Sequence, residues 1–397
     1  MTAFDETAST AGTSYLQPAM AGILAAVVGF TSTFALGLAG LATVGASPVQ
    51  AGSGLFSICI VLFLLNISMS WRQRIPISIA WSTPGAAFLM TAGMPEGGFA
   101  AATGAFLVTA ALIVVAGLWR PLSRAVEAIP AAIANAMLAG ILLSLCIVPI
   151  KAAATLPAQT LPIILTWVVA LRYARRYAVP LAVLATVIVL AVTTRLPDDF
   201  LAGAWPVLTP IMPTLSLDAI LRLALPLFVV TMASQNLPGL AVMQANGYRV
   251  APAPVFRITG LGSAATAIFG GLPVNLAAIT AAICAGPEAH PDPARRWVAP
   301  IAAGCTYLLL GLGASLAAAF VAATPPILIE AVAGLALFSS FAGALSAAFA
   351  DEKTRLPAIV TFATTASGIT VGGIGGAFWG LVAGLALQFA LAGRLKP

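Results

Sequence analysis

The stretch GGLPVNLAAITAAICAGPEAHPDPARRW, residues 270–297, is apolar enough in its first half to lie inside a membrane. It nevertheless opens with two glycines, a proline and an asparagine, which a lipid-facing helix would not favour. Glycine allows extended or tight backbone, and asparagine is a good helix N-cap. The stretch therefore predicts a helix that begins at Asn275, only partway across the membrane.

The composition indicates that this chain lies in a lipid membrane. Of the 397 residues, 60% are hydrophobic and 8% are charged, and the mean hydropathy is +1.04. A soluble domain carries roughly 25% charged residues and about 45–50% apolar ones. Lipid offers no partner to backbone polar groups, so apolar runs that repeat from about Tyr15 to Leu391 must be helices. The sequence predicts an all-α polytopic membrane protein and excludes a soluble enzyme.

A second break of the same kind lies in the first half of the chain. Residues 75–87 read IPISIAWSTPGAA, a short β-branched run that leads into Ser82, Thr83 and Pro84. A hydroxyl N-cap followed by proline at the first helical position is a helix start. Each half of the chain therefore contains one helix that begins inside the membrane.

Charged residues, Pro/Gly clusters and polar gaps divide the chain into about fourteen transmembrane segments, in two sets of seven. They lie near residues 16–44, 48–71, 75–94, 98–119, 128–150, 156–173, 178–195, 221–246, 254–271, 272–287, 297–323, 325–350, 356–372 and 374–393. Since seven is odd, the second set enters the membrane from the opposite side, and a repeat between the halves is inverted. We assign residues 1–15 to an N-terminal tail, 16–195 to the first repeat, 196–220 to a linker and 221–394 to the second repeat.

The basic residues orient this arrangement. Fifteen of the eighteen fall on one side of the membrane, and only Lys151, Arg195 and Arg222 fall on the other. Positive charge marks the cytoplasmic side. The bias predicts cytoplasmic N- and C-termini and a periplasmic linker, and it explains the net charge of +6 without a nucleic-acid partner.

Two broken helices have a consequence for binding. Non-helical backbone at membrane depth costs several kcal/mol per unsatisfied group unless protein or a wet cavity satisfies it. Because the two segments run in opposite directions, their helix starts would face each other with free N–H groups and positive dipole ends. This predicts an anion site without a buried lysine or arginine. Two proline-kinked helices packed in a bundle are the alternative.

Polar residues in three other segments are candidates for the same site or for coupling. Gln235 and Asn236 interrupt the apolar eighth segment, and Thr33 and Phe34 offer a hydroxyl and a ring in the first. Such side chains contact ligands or join helices. Glu330, near the outer end of the twelfth segment, is the coupling candidate, with solvation of this acid as the alternative. Proton coupling is expected, although hydroxyls and carbonyls would also suit sodium.

Two motifs resemble those of the bacterial benzoate/proton symporter family. PVNLAAITAAICAGP (273–287) with AHPDPARRW (289–297) resembles its signature, and MASQNLPG (232–239) resembles its eighth-span motif. The family is related to the uracil and xanthine permeases. The resemblance implies a core domain of spans 1–4 and 8–11 that moves against a gate domain of spans 5–7 and 12–14. It also implies a substrate between spans 3 and 10, near spans 1 and 8, residence in the bacterial cytoplasmic (inner) membrane and often a homodimer.

One departure from the related permeases concerns charge. Nucleobase permeases generally carry carboxylates on spans 8 and 10, whereas this chain has Ser234, Gln235 and Asn275 in those regions. A carboxylate would repel an anionic substrate, and uncharged donors suit an aromatic acid. The departure therefore favours an anion over a nucleobase.

The sequence thus predicts a secondary transporter that imports benzoate or a related aromatic carboxylate with a proton. Hydroxyls and amides at the two breaks hold the carboxylate, the eighth segment orients it and the first packs its ring. In that order the residues are Ser82, Thr83 and Asn275; Gln235 and Asn236; and Thr33 and Phe34. No cofactor, metal site or enzymatic activity is expected. A permease for another small anion or a nucleobase and a passive anion channel are the alternatives.

Overall fold

The computed structural model of the protein describes residues 15–119, 121, 124, 129–174, 177–193, 205–287, 289–323, 325–371 and 374–392. Most of the predicted N-terminal tail and residues 196–204 of the predicted linker lie outside the described residues. The described chain is mostly helical, as the composition predicts, with two very short pairs of strands.

Among the described residues, the first half contains seven helices and one strand. In chain order they are α1 Leu16–Thr43, α2 Pro48–Gln73, β1 Ile79–Trp81, α3 Thr83–Ala92, α4 Gly98–Leu118, α5 Ala131–Thr155, α6 Pro157–Tyr173 and α7 Ala178–Thr193. The second half begins with α8, which runs from Leu217 to Gln244.

The remaining elements of the second half follow a similar order. They are α9 Pro252–Ile268, β2 Val274–Leu276, α10 Ile279–Ala285, α11 Val298–Gly311, α12 Ala314–Ala323, α13 Pro326–Ala348, α14 Glu352–Ala366, β3 Thr370–Val371, β4 Ile374–Gly375 and α15 Gly376–Ala392. A 3-10 turn at Pro293–Arg295 lies between α10 and α11. Each of the fourteen predicted segments contains a helix.

Several helices are suited to a bilayer. Among the described residues, six helices are long and apolar enough to cross a membrane, and α11 with α12, bent by 54°, forms a seventh such unit. Two shorter apolar helices lie at Ala178–Thr193 and Gly376–Leu391. The structure is therefore that of a multi-pass membrane protein, while the count of fourteen crossings stays a prediction.

Both predicted breaks are present, and they meet. Strand β1 pairs with β2 in antiparallel register, with Ala80 opposite Asn275. The pair is closed by two further backbone bonds, from Ser82 N to Pro273 O at 3.0 Å and from Ala277 N to Ser78 O at 2.9 Å. Each strand thus satisfies part of the other's backbone, which removes much of the cost of non-helical chain inside a membrane.

Side chains of two neighbouring helices satisfy backbone groups of this strand pair. Asn66 on α2 donates to Ile79 O and accepts from Ile79 N, both at 2.9 Å. Ser263 on α9 accepts from Val274 N at 2.9 Å and donates to Val274 O at 3.1 Å. Buried backbone groups need such partners, so the strands are held in place from both sides.

The predicted helix starts differ in outcome. A hydroxyl cap at Ser82 or Thr83 is predicted, and Ser82 is the N-cap of α3: its hydroxyl accepts from Gly85 N at 3.1 Å, with Pro84 as the second helical residue. The prediction for Asn275 is wrong: Asn275 lies inside β2, and α10 follows Ala278 without a side-chain cap. Pairing with β1 provides the backbone around Asn275 with partners that a cap would otherwise supply, so tertiary contacts outweigh the local preference.

The paired glycines have a steric explanation. Gly270 has φ of +82°, a left-handed conformation that side chains other than glycine rarely adopt. A Cβ atom on Gly271 would lie 2.8 Å from Ser57 Oγ and 3.0 Å from Gly54 O. The glycines therefore let the chain turn tightly and press against α2 before β2 begins.

Helix α8 contains two π-helical turns, at Ile220–Ala224 and Met232–Asn236. Each ends two residues before a proline, Pro226 or Pro238. Proline lacks an N–H group and clashes with the carbonyl four residues earlier. The wider π turn accommodates the missing hydrogen bond and avoids this clash. The second π turn contains Gln235 and Asn236, which explains why the predicted polar interruption does not break the helix.

Two groups of helices are distinguished by their packing. The β1–β2 pair contacts α2, α8 and α9, while α4 packs on α9 and α11 packs on α1 and α2. In the other group α5 packs on α13 and α14, α6 on α7, and α14 on α15. The groups meet where α13 and α7 contact α1 and where α5 contacts α3 and α8.

Candidate functional site

A small cavity of about 80 Å³ lies beside the β1–β2 pair, between α1, β1, α3, α8, α10 and α11. We call it the central cavity. Its lining residues are Ala25, Val28, Gly29, Thr33, Ala80, Trp81, Thr83, Gln235, Ala277, Thr280, Ile283 and Tyr307. Ligand pockets for drug-sized molecules measure about 300–1,000 Å³. The central cavity therefore suits a very small ligand, or a larger one only after the surrounding helices move.

Three of the predicted binding residues line this cavity. Gln235 lies on the π turn of α8, and its Oε1 accepts from Ala278 N at 3.4 Å. Thr83 is the first residue of α3. Thr33 faces the cavity from α1, and its hydroxyl donates to Gly29 O at 2.7 Å. These three come together from three distant parts of the sequence.

Three other predicted residues do not line the central cavity, and all three are buried among protein groups. Ser82 Oγ lies 2.9 Å from Thr231 Oγ1. Asn236 accepts from Leu276 N at 2.9 Å, and its amide contacts Met232 Sδ at 3.2 Å. Asn275 donates to Leu276 O at 2.9 Å. In this conformation these side chains support the strand pair and α3.

Phe34 and Glu330 lie in other cavities. Phe34 stacks on Phe30 at a ring-centroid distance of 5.5 Å and lines an apolar space between α1, α7, α12 and α13. Glu330 lines a cavity of about 240 Å³ with residues of α1, α2, α12 and α13. Neither side chain lines the central cavity in this conformation.

Sequence reasoning missed three lining residues: Trp81, Thr280 and Tyr307. Trp81 is 4% exposed and Thr280 is 8% exposed, and within the described chain Trp81 Nε1 and Thr280 Oγ1 have no hydrogen-bond partner. Trp81 and Thr280 lie next to the two predicted breaks, and this position could have marked them as candidate site residues. Nothing local marks Tyr307, which reaches the site from α11 and lies 5.9 Å from Trp81 between ring centroids.

The electrostatics of the central cavity follow from its lining, which contains no ionisable side chain except the Tyr307 phenol. The lining residues carry an indole N–H, which can only donate, and threonine hydroxyls and an amide, which can donate or accept. Buried donors without partners stabilise an anion that enters, because each gains a charge-assisted hydrogen bond. The described residues hold no group of three or more His, Cys, Asp or Glu side chains placed for a metal ion.

The loop after α10 is fixed by Arg296. Its guanidinium donates to the carbonyls of Ala285, His290 and Pro291 at 2.8, 2.6 and 3.2 Å. A cation at a helix C-terminus satisfies the last carbonyls and the dipole. Arg296 therefore anchors the end of the short helix α10 that carries Thr280.

Tyr248 joins the end of α8 to the same loop by donating to Pro293 O at 2.9 Å. Burial raises the pKa of the Tyr248 phenol, and the nearby Arg296 guanidinium offsets part of that effect. The phenol therefore stays protonated near neutral pH and remains a donor to the loop.

Comparison with known sequences gives a consistent result. Residues 14–390 match the family described as benzoate membrane transport protein (BenE). The chain is 42% identical over 370 residues to the inner membrane protein YdcO of Escherichia coli (strain K12), covering 92% of this chain and 93% of that protein. It is 31% identical over 387 residues to the benzoate membrane transport protein of Acinetobacter baylyi (strain ATCC 33305 / BD413 / ADP1), covering 96% of each.

Solved structures share the fold at low sequence identity. The transmembrane domain of a cyanobacterium bicarbonate transporter, BicA, superposes with a TM-score of 0.64 at 17% identity, covering 93% of this chain and 97% of that one. SLC26A9 gives a TM-score of 0.61 at 13% identity, covering 94% of this chain and 65% of that one. The arrangement of helices is therefore that of the SLC26/BicA transporter fold.

Proposed function

Because the chain belongs to the BenE family of benzoate membrane transport proteins, we propose that this membrane transporter imports benzoate or a related aromatic carboxylate together with a proton. The central cavity carries the proposal, since two of its lining residues, Trp81 and Thr280, hold buried donors without partners among the described residues, and its lining contains no lysine, arginine or carboxylate. That combination favours one negative charge entering from outside. A membrane transporter is not an enzyme class, and no reaction is proposed.

In the proposed complex, Trp81 Nε1 and Thr280 Oγ1 donate to the carboxylate. Thr83 and the amide nitrogen of Gln235 complete the shell, while the Trp81 and Tyr307 rings flank the substrate ring. Aromatic rings pack edge to face or offset, with gains of about 0.5–1.5 kcal/mol per pair. Since the described cavity is small, the ring enters when the surrounding helices separate.

Alternating access provides that separation. We propose fourteen spans in two inverted repeats, residues 16–195 and 221–394, with spans 1–4 and 8–11 as a core domain that moves against a gate domain of spans 5–7 and 12–14. Support comes from the equivalent roles of Asn66 on α2 and Ser263 on α9, each bonding both backbone groups of one strand residue. The two packing groups of helices support the same division.

The orientation in the cytoplasmic membrane follows from charge. Cytoplasmic termini bring fifteen of the eighteen basic residues to the inner side. Cysteines introduced singly test this in intact cells: a thiol in the 205–216 segment should react with a membrane-impermeant reagent, and one beside His290 should not. Reaction at His290 alone would reverse the orientation.

Glu330 is the proposed coupling residue. It lies in the cavity between α1, α2, α12 and α13, where both packing groups contribute lining residues. A carboxylate there changes charge with a proton, so its protonation biases the relative position of the two groups.

A second candidate substrate is a small inorganic anion such as bicarbonate. The size of the central cavity, about 80 Å³, is the observation that favours it. A neutral set of donors would bind a planar oxyanion of either kind, so competition for uptake separates the two substrates.

Proteoliposomes with an imposed pH gradient test the proposal. Labelled benzoate should accumulate above equilibrium when the outside is acidic, and a protonophore should abolish this accumulation. Protein-free vesicles correct for benzoic acid that crosses lipid unaided. Salicylate should compete, and uracil and bicarbonate should not. Equilibration without accumulation would indicate a passive channel, and competition by bicarbonate alone would indicate the inorganic anion.

A further inference from the structure

An apolar cavity lies away from the strand pair. It has a volume of about 410 Å³ between α1, α7, α12 and α13, and we call it the lateral cavity. Side chains that line it include Phe34, Val187, Leu316, Phe320, Ile329 and Val332. The elements that form it are apolar helices of the membrane-spanning region.

The lateral cavity offers an occupant no free hydrogen-bond donor, and its only side-chain acceptor is the oxygen of Thr186. Its one lining hydroxyl, on Thr186, already donates to Ala182 O at 2.8 Å. The backbone of Gly313 is also satisfied, by Leu310 O at 3.1 Å and Ala317 N at 2.9 Å. Water needs two to four polar partners to occupy a cavity. A carboxylate would lie there without a hydrogen bond, which is costly in an apolar space, so the occupant must be hydrocarbon.

The shape of α11 and α12 creates this space and its opening. The 54° bend between the two helices, at Leu312 and Gly313, directs α12 away from the line of α11. On the opposite wall Val187 is 40% exposed, and the lining residue Ala191 is exposed. The cavity therefore opens on the outer face of α7, where Leu184, Ile188 and Val192 are exposed as lipid-facing residues would be.

We propose that the lateral cavity binds one acyl chain of a membrane phospholipid. The bilayer lies at its mouth, hydrocarbon is the only chemistry its lining accepts, and an acyl chain is long and thin enough to enter past Val187. In this assignment Phe34 contacts lipid, not the substrate ring. The binding itself requires only membrane residence and does not rest on the proposed substrate.

The position of the chain gives it a role in motion. The lateral cavity is lined by α1 of the group around the strands and by α12, which packs on α2 of that group. Its other walls are α7 and α13 of the second group. An acyl chain there contacts both groups at once. Relative movement of the groups changes the width of the cavity, so the bound chain favours the arrangement that accommodates it.

Photolabelling in vesicles tests the site directly. The protein is reconstituted into phosphatidylethanolamine and phosphatidylglycerol vesicles that contain a small share of phospholipid with a diazirine at mid-chain. After illumination, adducts are mapped by mass spectrometry. Adducts are expected on partly buried lining residues, namely Phe34, Leu316 and Phe320, in addition to the exposed residues of α7.

Two matched pairs of variants make the mapping decisive. Ala191→Trp and Ala317→Trp fill the lateral cavity from opposite walls. Val192→Trp, next to Ala191 and 81% exposed, and Ala319→Trp, on the same helix as Ala317, leave it open. Labelling of Phe34 and Phe320 should fall several-fold in the first two variants and stay unchanged in the two controls.

Adducts confined to Leu184, Ile188 and Val192 would overturn the proposal, as would equal labelling of Phe34 and Phe320 in wild type and Ala317→Trp. Labelling of the same residues by a photoactivatable benzoate would also overturn it, because the lateral cavity would then belong to the substrate. If the wild-type protein took up no benzoate but its lateral cavity was labelled by lipid, the proposed function would be contradicted and the lipid site would stand.

Discussion

The polar residues that stand out in the sequence and those that face the central cavity are only partly the same. The side-chain amides of Asn236 and Asn275 are buried and bond to the backbone of β2. Trp81 Nε1 and Thr280 Oγ1, on residues that line the central cavity, have no hydrogen-bond partner among the described residues. A polar residue in an apolar run indicates that its side chain has a hydrogen-bond partner. It does not indicate whether that partner is a ligand or the backbone. Only the three-dimensional arrangement distinguishes the two roles.

At the residue scale, Trp81→Phe should weaken binding of benzoate. The change keeps a ring and removes the Nε1–H donor. A hydrogen bond to a charged group contributes about 1.5–3 kcal/mol, so the Kd should rise roughly tenfold or more. Calorimetric titration of the purified protein measures this. Trp167→Phe, on α6 and outside the central cavity, is the control and should leave Kd unchanged; an unchanged Kd in Trp81→Phe would contradict the assigned donor.

Asn236→Leu should lower stability more than it changes ligand contacts. The substitution leaves the buried Leu276 N–H without its acceptor, which costs roughly 1–3 kcal/mol. A thermal melt in detergent should show a lower Tm. Asn135→Leu, at a partly exposed side chain whose amide donates to Ala131 O of its own helix, should have little effect. Equal Tm values for wild type and Asn236→Leu would mean that Asn236 does not support β2.

At the scale of elements, the composition and the residues that begin or end helices predict much of the structure. The positions of both breaks and the helix start at Ser82 agree with the sequence, because caps, prolines and glycines act locally. The start predicted at Asn275 does not, because pairing of β1 with β2 is a contact between residues almost 200 positions apart. Tyr307 is unpredictable for the same reason, since its packing against Trp81 is a tertiary contact.

Gly271→Ala should destabilise the approach to β2. Its added Cβ would lie 2.8 Å from Ser57 Oγ and from Thr266 Cβ, and such overpacking costs about 1–3 kcal/mol. Gly343→Ala on α13 is the matched control, because its Cβ would meet nothing within 4 Å and alanine favours a helix interior by about 0.8–1.0 kcal/mol. The Tm should fall in the first variant and hold or rise in the second; the reverse order would refute the close contact with α2.

At the scale of the whole molecule, the proposed transport requires a link between proton and substrate. Glu330 and the central cavity are separate in the structure, so coupling has to pass through movement of the two helix groups. The sequence could nominate Glu330 as an acid in an apolar segment. It could not indicate that the acid lies in a cavity shared by both groups, since that depends on their packing.

Glu330→Gln should therefore uncouple transport without abolishing binding. In proteoliposomes, accumulation driven by a pH gradient should fall to equilibration, while exchange of labelled for unlabelled benzoate continues. Glu96→Gln, an exposed acid of a loop, is the control and should accumulate benzoate as the wild type does. Full accumulation by Glu330→Gln would assign coupling to another group.

The most direct measurement is the structure of the protein with 4-iodobenzoate, whose iodine marks the ring and whose carboxylate marks the opposite end. The carboxylate should lie in a widened central cavity, within hydrogen-bond distance of Trp81 Nε1 and Thr280 Oγ1, at the crossing of β1 and β2. Density for the ligand in the lateral cavity or beside Glu330, with the central cavity unchanged, would contradict the proposed site.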